Sequence, residues 1–251
     1  MWIFVKRDIS IIYKQTILGP FWLFIQPLLT TIVYTVIFGK VAKIPTDGLP
    51  KDLFYMGGIV AWNYFSNCLS STSNTFTSNA SLFGKVYFPR IIVPLSKVIS
   101  GLLRFGIQFL LFFGFYSYYL LIGNDAINPS SYLLIPLLIL QMAVLGLGIG
   151  LLVSSMTIKY RDLTYLVSFG TQLMMYASPI VYPLSIVPDD YKNFIFYNPM
   201  TPIIEGFRFS LFGTGNLEIG MWVYSIAITL FIFFFGIIVF NKVEKNFIDK
   251  V

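Results

Sequence analysis

Apolar residues run along this chain in long blocks separated by short polar, proline-bearing stretches, the pattern of a protein that crosses a bilayer repeatedly. A helix needs about 20 mostly apolar residues to cross the hydrocarbon core, because only the chain itself can satisfy backbone N–H and C=O groups there. Six blocks meet that length, at roughly 21–39, 54–77, 98–122, 132–156, 163–182 and 221–240. The second differs from the rest in having a polar lower half. Residues 2–16 carry another period: Trp2, Val5, Ile9, Ile12 and Thr16 recur at helical spacing, with Lys6, Arg7, Ser10 and Lys14 opposite. That predicts a helix lying in the interface plane, as a docking element or as a simple anchor for the first span. Between the last two blocks, residues 183–219 alternate short amphipathic pieces with prolines, and each piece is too short to span. Two short helices that dip into the outer leaflet and return are expected here, with Glu205 and Arg208, three apart, able to pair on one of them.

The expected fold is thus an all-α integral membrane protein with six transmembrane helices, forming one transmembrane domain over 1–251. Its parts are an interfacial helix over 1–19, spans one to five over 20–182, an outer re-entrant segment over 183–219, and span six with a cytoplasmic tail over 220–251. No repeat relates the two halves, so an inverted-repeat transporter is not inferred.

Composition sharpens this picture. Hydrophobic residues make up 57% of the chain and charged residues 11%, against about 25% charged in an ordinary soluble domain. The opening "MWIFVKRDISIIYK" sets cations among its apolar residues and shows no small-residue cleavage site, so the first span is expected to remain in the mature chain. Histidine is absent and Cys68 is the single cysteine. Disulfides within the chain, Cys/His zinc sites and histidine-based catalysis are therefore excluded. The net charge of +6 is a topology signal rather than a nucleic-acid footprint. With the N-terminus inside, 12 of the 17 cations fall on cytoplasmic segments, which is consistent with six spans and both termini cytoplasmic.

One cytoplasmic stretch stands out. "FGKVYFPRIIVPLSKV", residues 83–98, gathers Lys85, Arg90 and Lys97 around Pro89 and Pro94. The prolines predict a short helix flanked by bends. Tyr87, Phe88, Ile91 and Ile92 give it an apolar face that needs a cover, whether the membrane, the protein's own bundle or another protein. Within it, "KVYFPRIIVPL" resembles the cytoplasmic loop of the permease subunits of ABC-2 transporters that export polysaccharides such as O-antigen, teichoic acid and some capsules. Three further stretches agree, in the same order: "KRDISIIYKQTILGPFWLFIQPL", "KYRDLTYLVSFGTQLMMYASPIVYP" and "NPMTPIIEGFRFSLFGTG". The chain departs from the family pattern at Ile91, where an acidic residue often follows the arginine, and in a shorter region ahead of Lys6.

The resemblance implies that the proline loop is a coupling helix seated in a cleft of a separate ABC ATPase, with Lys85, Tyr87, Phe88, Pro89, Arg90 and Pro94 making the contact. It implies a homodimer in the inner membrane working with two ATPase copies, and a polyprenyl-diphosphate-linked polysaccharide, most plainly O-antigen, as cargo. ATP and Mg would be bound by the partner, since this chain contains no G-x-x-x-x-G-K-[ST] and is expected to hold no cofactor of its own. An ABC-2 exporter of a small hydrophobic compound shares these features and stands as the alternative, ahead of a membrane enzyme acting on lipid-linked sugars. The loop "KYRDL" offers Tyr160 and Arg161 to the headgroup boundary and Asp162 as a helix cap, with a second ATPase contact implied by the resemblance. On the outer side Asn198, Pro199, Glu205 and Arg208 fall where the family has gate helices.

In the polar half of the second span, ten of the thirteen residues 67–79 are Asn, Ser or Thr. They either line a water-filled path, with Asn67, Ser70, Ser71 and Asn74 facing it, or act as packing glue that bonds its own backbone. Arg104 and Gln108 lie one turn apart on the third span. Arg104 either snorkels to the interface or joins Lys97 and Arg90 in attracting the diphosphate of a lipid-linked glycan. Labelling of Cys68 by a water-soluble reagent is expected if its span lines a wet path. "GLGIG", residues 146–150, permits close helix approach, within the chain or between two copies.

Overall fold

A computed structural model describes residues 1–13, 19–79, 83, 88–123, 131–160, 162–215 and 218–248. Among these residues the chain is mostly helical, joined by turns and short connections, and none forms a strand. The elements are α1 (Trp2–Tyr13), α2 (Trp22–Tyr34, prolonged by a π-helical turn over Thr35–Val41), α3 (Lys51–Ser73) and α4 (Ile92–Leu121). They continue with α5 (Leu134–Thr157), α6 (Leu163–Tyr176), α7 (Asp189–Phe196), α8 (Met200–Phe212) and α9 (Ile219–Ile248). Each of the six expected blocks is occupied by a helix. Four helices are long and apolar enough to cross a membrane, Trp22–Val41, Ile92–Leu121, Leu134–Thr157 and Ile219–Lys245.

The other two blocks fall short for different reasons. α6 has 14 residues and gives way to turns after Tyr176. α3 is 23 residues long but polar toward its end, and it is the most enclosed of the long helices. A helix surrounded by other helices has no need of uniform hydropathy, since lipid never touches most of it. Its Leu53, Tyr55, Val60, Ala61 and Phe65 are completely buried.

Close approach of α5 to both neighbours builds the core. A Cβ at Gly146 would stand 2.8 Å from Cys68 Cβ on α3, and one at Gly150 would collide with Thr72 Oγ1. Gly148 faces the other way, where a Cβ would stand 2.8 Å from Phe233 Cα on α9, and Gly236 of α9 is packed against the Gly148 carbonyl. The "GLGIG" stretch therefore serves contacts inside the chain, with alternate glycines admitting α3 and α9. Polar groups lock the same layers: Gln141 Nε2 donates to Ser225 Oγ (2.8 Å), Trp222 Nε1 donates to Gln141 Oε1 (3.0 Å), and Ser225 Oγ donates to the Pro199 carbonyl (2.7 Å).

The bundle has two distinct ends. One holds α1, residues 88–91 and the last turns of α9. There Asp8 of α1 pairs with Lys97 of α4 at 3.0 Å, Phe4 packs on Phe88 (5.4 Å), and the Arg90 amide donates to Glu244 Oε1 (3.3 Å). The other end holds α7 and α8. The two short helices expected over 183–219 are present and differ sharply: α7 buries only Ile195, whereas α8 is buried from Met200 through Arg208. Phe207 meets Phe109 (6.1 Å), Phe212 meets Phe112 (6.0 Å), and Tyr116 Oη donates to the Leu211 carbonyl (2.7 Å). α8 thus plugs this end of the bundle.

Two expectations are corrected here. The third helix starts at Ile92 rather than near 98, and Pro94, read as a helix stop, lies in its first turn, where a missing N–H costs nothing. Asp162 precedes Leu163 of α6 but makes no capping hydrogen bond; its own φ and ψ are already helical, which does not aim the carboxylate at the first-turn amides.

Candidate functional site

The periodicity of α3 sorts its polar residues onto two faces. Asn63, Ser66, Asn67 and Ser70 fall three and four apart and share one stripe. Cys68, Leu69 and Thr72 lie on the other side, against the glycines of α5. The first stripe opens into a cleft of about 310 Å³, walled by Leu23 and Gln26 of α2, by Asn63, Tyr64, Ser66, Asn67 and Ser70 of α3, and by Gly101, Arg104, Phe105 and Gln108 of α4. Pro27 sits inside α2, so the carbonyl of Leu23, on the wall of the cleft, cannot receive its i+4 hydrogen bond. Asn63 Nδ2 reaches Gln108 Oε1 across the cleft at 3.4 Å.

Hydrogen bonding separates the two faces more sharply than position does. Away from the cleft the hydroxyls bond backbone carbonyls: Thr72 to Cys68 O (2.6 Å), Ser73 to Ser70 O (2.9 Å) and Thr75 to Thr72 O (2.6 Å), with the Asn79 amide on Thr75 O (3.0 Å). In the cleft, Gln26, Ser66, Asn67 and Arg104 make no side-chain hydrogen bond or ion pair with another described residue. Ser70 donates to the Ser66 carbonyl at 2.6 Å.

Of the residues expected to line a path, Asn67, Ser70 and Arg104 come together here, joined by Gln108. Ser71 and Asn74 do not: Ser71 bonds Asn67 O and Asn74 bonds Ser70 O at 3.1 Å, the packing role foreseen as their alternative. The expected cationic cluster is not assembled either. Lys97 is spent on Asp8, Arg90 is buried with its guanidinium 5.2 Å from the Phe83 ring and its amide on Glu244, and Arg104 alone faces the cleft. Asp8 is the residue the sequence reading missed. Asp8 borders the apolar side of α1, and the sequence does not show which cation in another helix it meets.

The coupling-loop residues are divided. Lys85 and Tyr87 lie outside the described residues. Phe88 is half-buried between Phe4 and Phe83, Pro94 is buried in α4, and Pro89 is exposed. The apolar face is therefore covered in part by the chain's own α1. In the second loop Tyr160 is exposed with Lys159 Nζ 5.1 Å from its ring, Asp162 is exposed, and Arg161 lies outside the described residues.

At the opposite end, Glu205 and Arg208 pair as expected, Nη1 to Oε1 at 2.7 Å, with both side chains about 95% buried. Arg208 also donates to the Ile180 carbonyl (3.2 Å) and lies 3.9 Å from the Phe54 ring centre. Asn198 Nδ2 donates to Ser178 Oγ (2.8 Å), its Oδ1 accepts the Met200 amide (3.0 Å), and the Pro199 carbonyl holds Ser225. These four residues fasten α8 to α3, α9 and the segment after α6.

Cys68 is 1% exposed and faces α5. Its Sγ lies beside Gly101 and Tyr64, so the thiol sits behind the cleft wall and is itself buried.

A family model described as ABC-2 type transporter matches residues 1–212, most of the chain. The chain belongs to this family. Among curated proteins it is similar to an O-antigen export system permease protein, RfbA, of Klebsiella pneumoniae, at 29% identity over 98% of this chain and 93% of the relative. RfbA of Myxococcus xanthus is 25% identical over 81% of this chain and 76% of the relative. The polysialic acid transport protein KpsM of Escherichia coli is 21% identical over 95% and 91%. Membership accounts for the architecture: a helical membrane bundle with a polar cleft among apolar helices is a transporter's construction, and the cleft is its candidate functional site.

Proposed function

We propose that this chain is the membrane-spanning subunit of an ATP-driven polysaccharide exporter, most specifically of a polyprenyl-diphosphate-linked O-antigen. What carries the reading is the similarity, along nearly the full length of both chains, to O-antigen export permeases. The cleft supports it, because unpartnered amides and hydroxyls in a bilayer-resident bundle suit a hydroxylated cargo and disfavour a small hydrophobic one. α2, α3, α4, α5, α6 and α9 would provide six spans in the inner membrane, with both termini on the cytoplasmic side, an orientation with which the distribution of Lys and Arg is consistent.

Two copies would work with two ABC ATPase subunits that bind ATP and Mg. The segment around Pro89 would receive the stroke of the ATPase, with Tyr160 to Asp162 beside it, and α8 would close the far end of the path as a re-entrant gate. The test is to purify the chain with its ATPase and ask whether a lipid-diphosphate glycan stimulates ATP hydrolysis, while deleting the chain in its host and measuring surface glycan. Stimulation and loss of surface glycan are expected. An ATPase that never co-purifies, together with surface glycan that survives deletion, refutes the proposal.

A further inference from the structure

Resting on the export reading, we infer that the α2–α3–α4 cleft recognises one uncharged, hydroxyl-rich sugar unit of the cargo, and that the lipid diphosphate is held elsewhere. A diphosphate offers several negative oxygens that only accept hydrogen bonds, and it is matched by clustered Arg and Lys or by backbone amides. The cleft supplies neither. Among the described residues Arg104 is its single cation; Lys97 is engaged by Asp8, and Arg90 is buried with its guanidinium near the Phe83 ring. Its other polar groups, on Gln26, Asn63, Tyr64, Ser66, Asn67, Ser70 and Gln108, are amides and hydroxyls that accept as well as donate. Facing a diphosphate, the side-chain carbonyl oxygens of Gln26, Asn63 and Asn67 would be left without donors, which is costly in a partly desolvated site. Facing sugar hydroxyls, each of which donates and accepts, every one can be satisfied.

The open state of these groups points to a ligand as well. Ser71, Thr72 and Ser73 of α3 donate to carbonyls of their own helix, whereas the side chains of Gln26, Ser66, Asn67 and Arg104 make no hydrogen bond with another described residue. At about 310 Å³ the cleft is at the small end of ligand sites, which run from about 300 to 1,000 Å³. It suits a single ring of a chain better than a folded oligomer. Phe105 and Tyr64 add flat apolar surface at the wall.

The experiment uses the intact transporter in host membranes, with a benzophenone side chain placed at Leu23, a wall residue outside the hydrogen-bonding set. A second benzophenone, at the exposed Leu110 of α4, serves as control. After irradiation, carbohydrate attached to the subunit is detected by periodate chemistry and its phosphate content is measured. Capture at Leu23 but not at Leu110 is expected, with an at least tenfold loss in Asn67→Leu and retention within about threefold in Arg104→Gln, which keeps a neutral donor. The inference is overturned if Leu23 captures no more carbohydrate than Leu110, if Arg104→Gln loses as much as Asn67→Leu, or if the captured material is lipid phosphate. Surface glycan after deletion of the chain separates the two levels. When deletion abolishes it and Leu23 still captures nothing, the export reading stands and this inference fails.

Discussion

Removing Glu205 tests how tightly the α8 end of the bundle is held. The carboxylate lies 2.7 Å from Arg208 Nη1, and both side chains are about 95% buried. Glu205→Ala leaves the guanidinium in place with the Ile180 carbonyl, the Phe54 ring and the Asp47 carboxylate among its remaining neighbours. Breaking a buried pair from one side costs about 3–5 kcal/mol, because the surviving charge keeps its desolvation penalty and loses its compensation. At about 2–4 °C per kcal/mol for a chain of this size, that is on the order of 10 °C in apparent melting temperature. The assay is thermal unfolding of the detergent-solubilised chain followed by size exclusion. The double variant Glu205→Leu with Arg208→Met removes both charges while keeping volume, and recovers most of the loss, since replacing a whole buried pair is often neutral. The reasoning is refuted if Glu205→Ala melts within about 2 °C of the parent, or if the double variant is no better than the single one.

Other parts of the bundle give equally direct expectations. Gly150→Val drives a branched side chain into Thr72 and separates α3 from α5; it is expected to abolish the monodisperse folded protein, while Gly170→Val on α6, where a Cβ meets open space, is tolerated. Lys97→Ala leaves Asp8 with Arg7 as its remaining ion-pair partner and loosens α1 from α4. Hydrogen exchange over residues 2–10 should rise at least tenfold, with exchange in α5 unchanged. At Asp189 the neighbouring Lys192 holds the carboxyl below its usual value. With its folded value depressed, any stabilisation is present above the ordinary carboxylate range and is lost as pH falls through the lowered value. Asp189 is fully exposed and Lys192 partly so, and Lys192→Ala should leave the melting temperature between pH 4 and 7 nearly unchanged.

Legibility from sequence followed the reach of each signal. Long apolar blocks and proline boundaries are local, and all six block positions proved helical. The Glu205–Arg208 pair was visible for the same reason, as a spacing of three on one helix. What was hidden depended on other elements. That Asn67 and Ser70 face a cleft while Thr72 and Thr75 bond their own helix follows from which side of α3 the glycines of α5 occupy. The cluster drawn from Arg90, Lys97 and Arg104 is divided by contacts with distant segments: Lys97 pairs with Asp8, Arg90 is buried with its guanidinium near the Phe83 ring, and Arg104 faces the cleft. Composition counts charges. It does not show which are already neutralised.

Those same pairings bear on how work could reach the cleft. Pro89 is exposed at one end of the bundle, while its neighbours are tied to three helices: Phe88 to α1 through Phe4, Arg90 to α9 through Glu244, and Ile92 onward to α4 by the chain itself. α1 is bound to α4 a second time through Asp8 and Lys97. A push on residues 88–91 therefore cannot be absorbed by a loose loop; it must displace α1, α4 and the end of α9 together. Along α4 the distance from Ile92 to Arg104 is twelve residues, about 18 Å at 1.5 Å per residue, and that helix forms one wall of the cleft. The opposite wall, α3, is fixed to α5 by glycine contacts that leave little room for sliding. Displacement of α4 against a fixed α3 opens or narrows the cleft. A disulfide between Asn63→Cys and Gln108→Cys, whose side chains already meet, should then uncouple ATP hydrolysis from export in a Cys68→Ala background, with reduction restoring it. Export that continues with the disulfide closed would show that α3 and α4 move as one body.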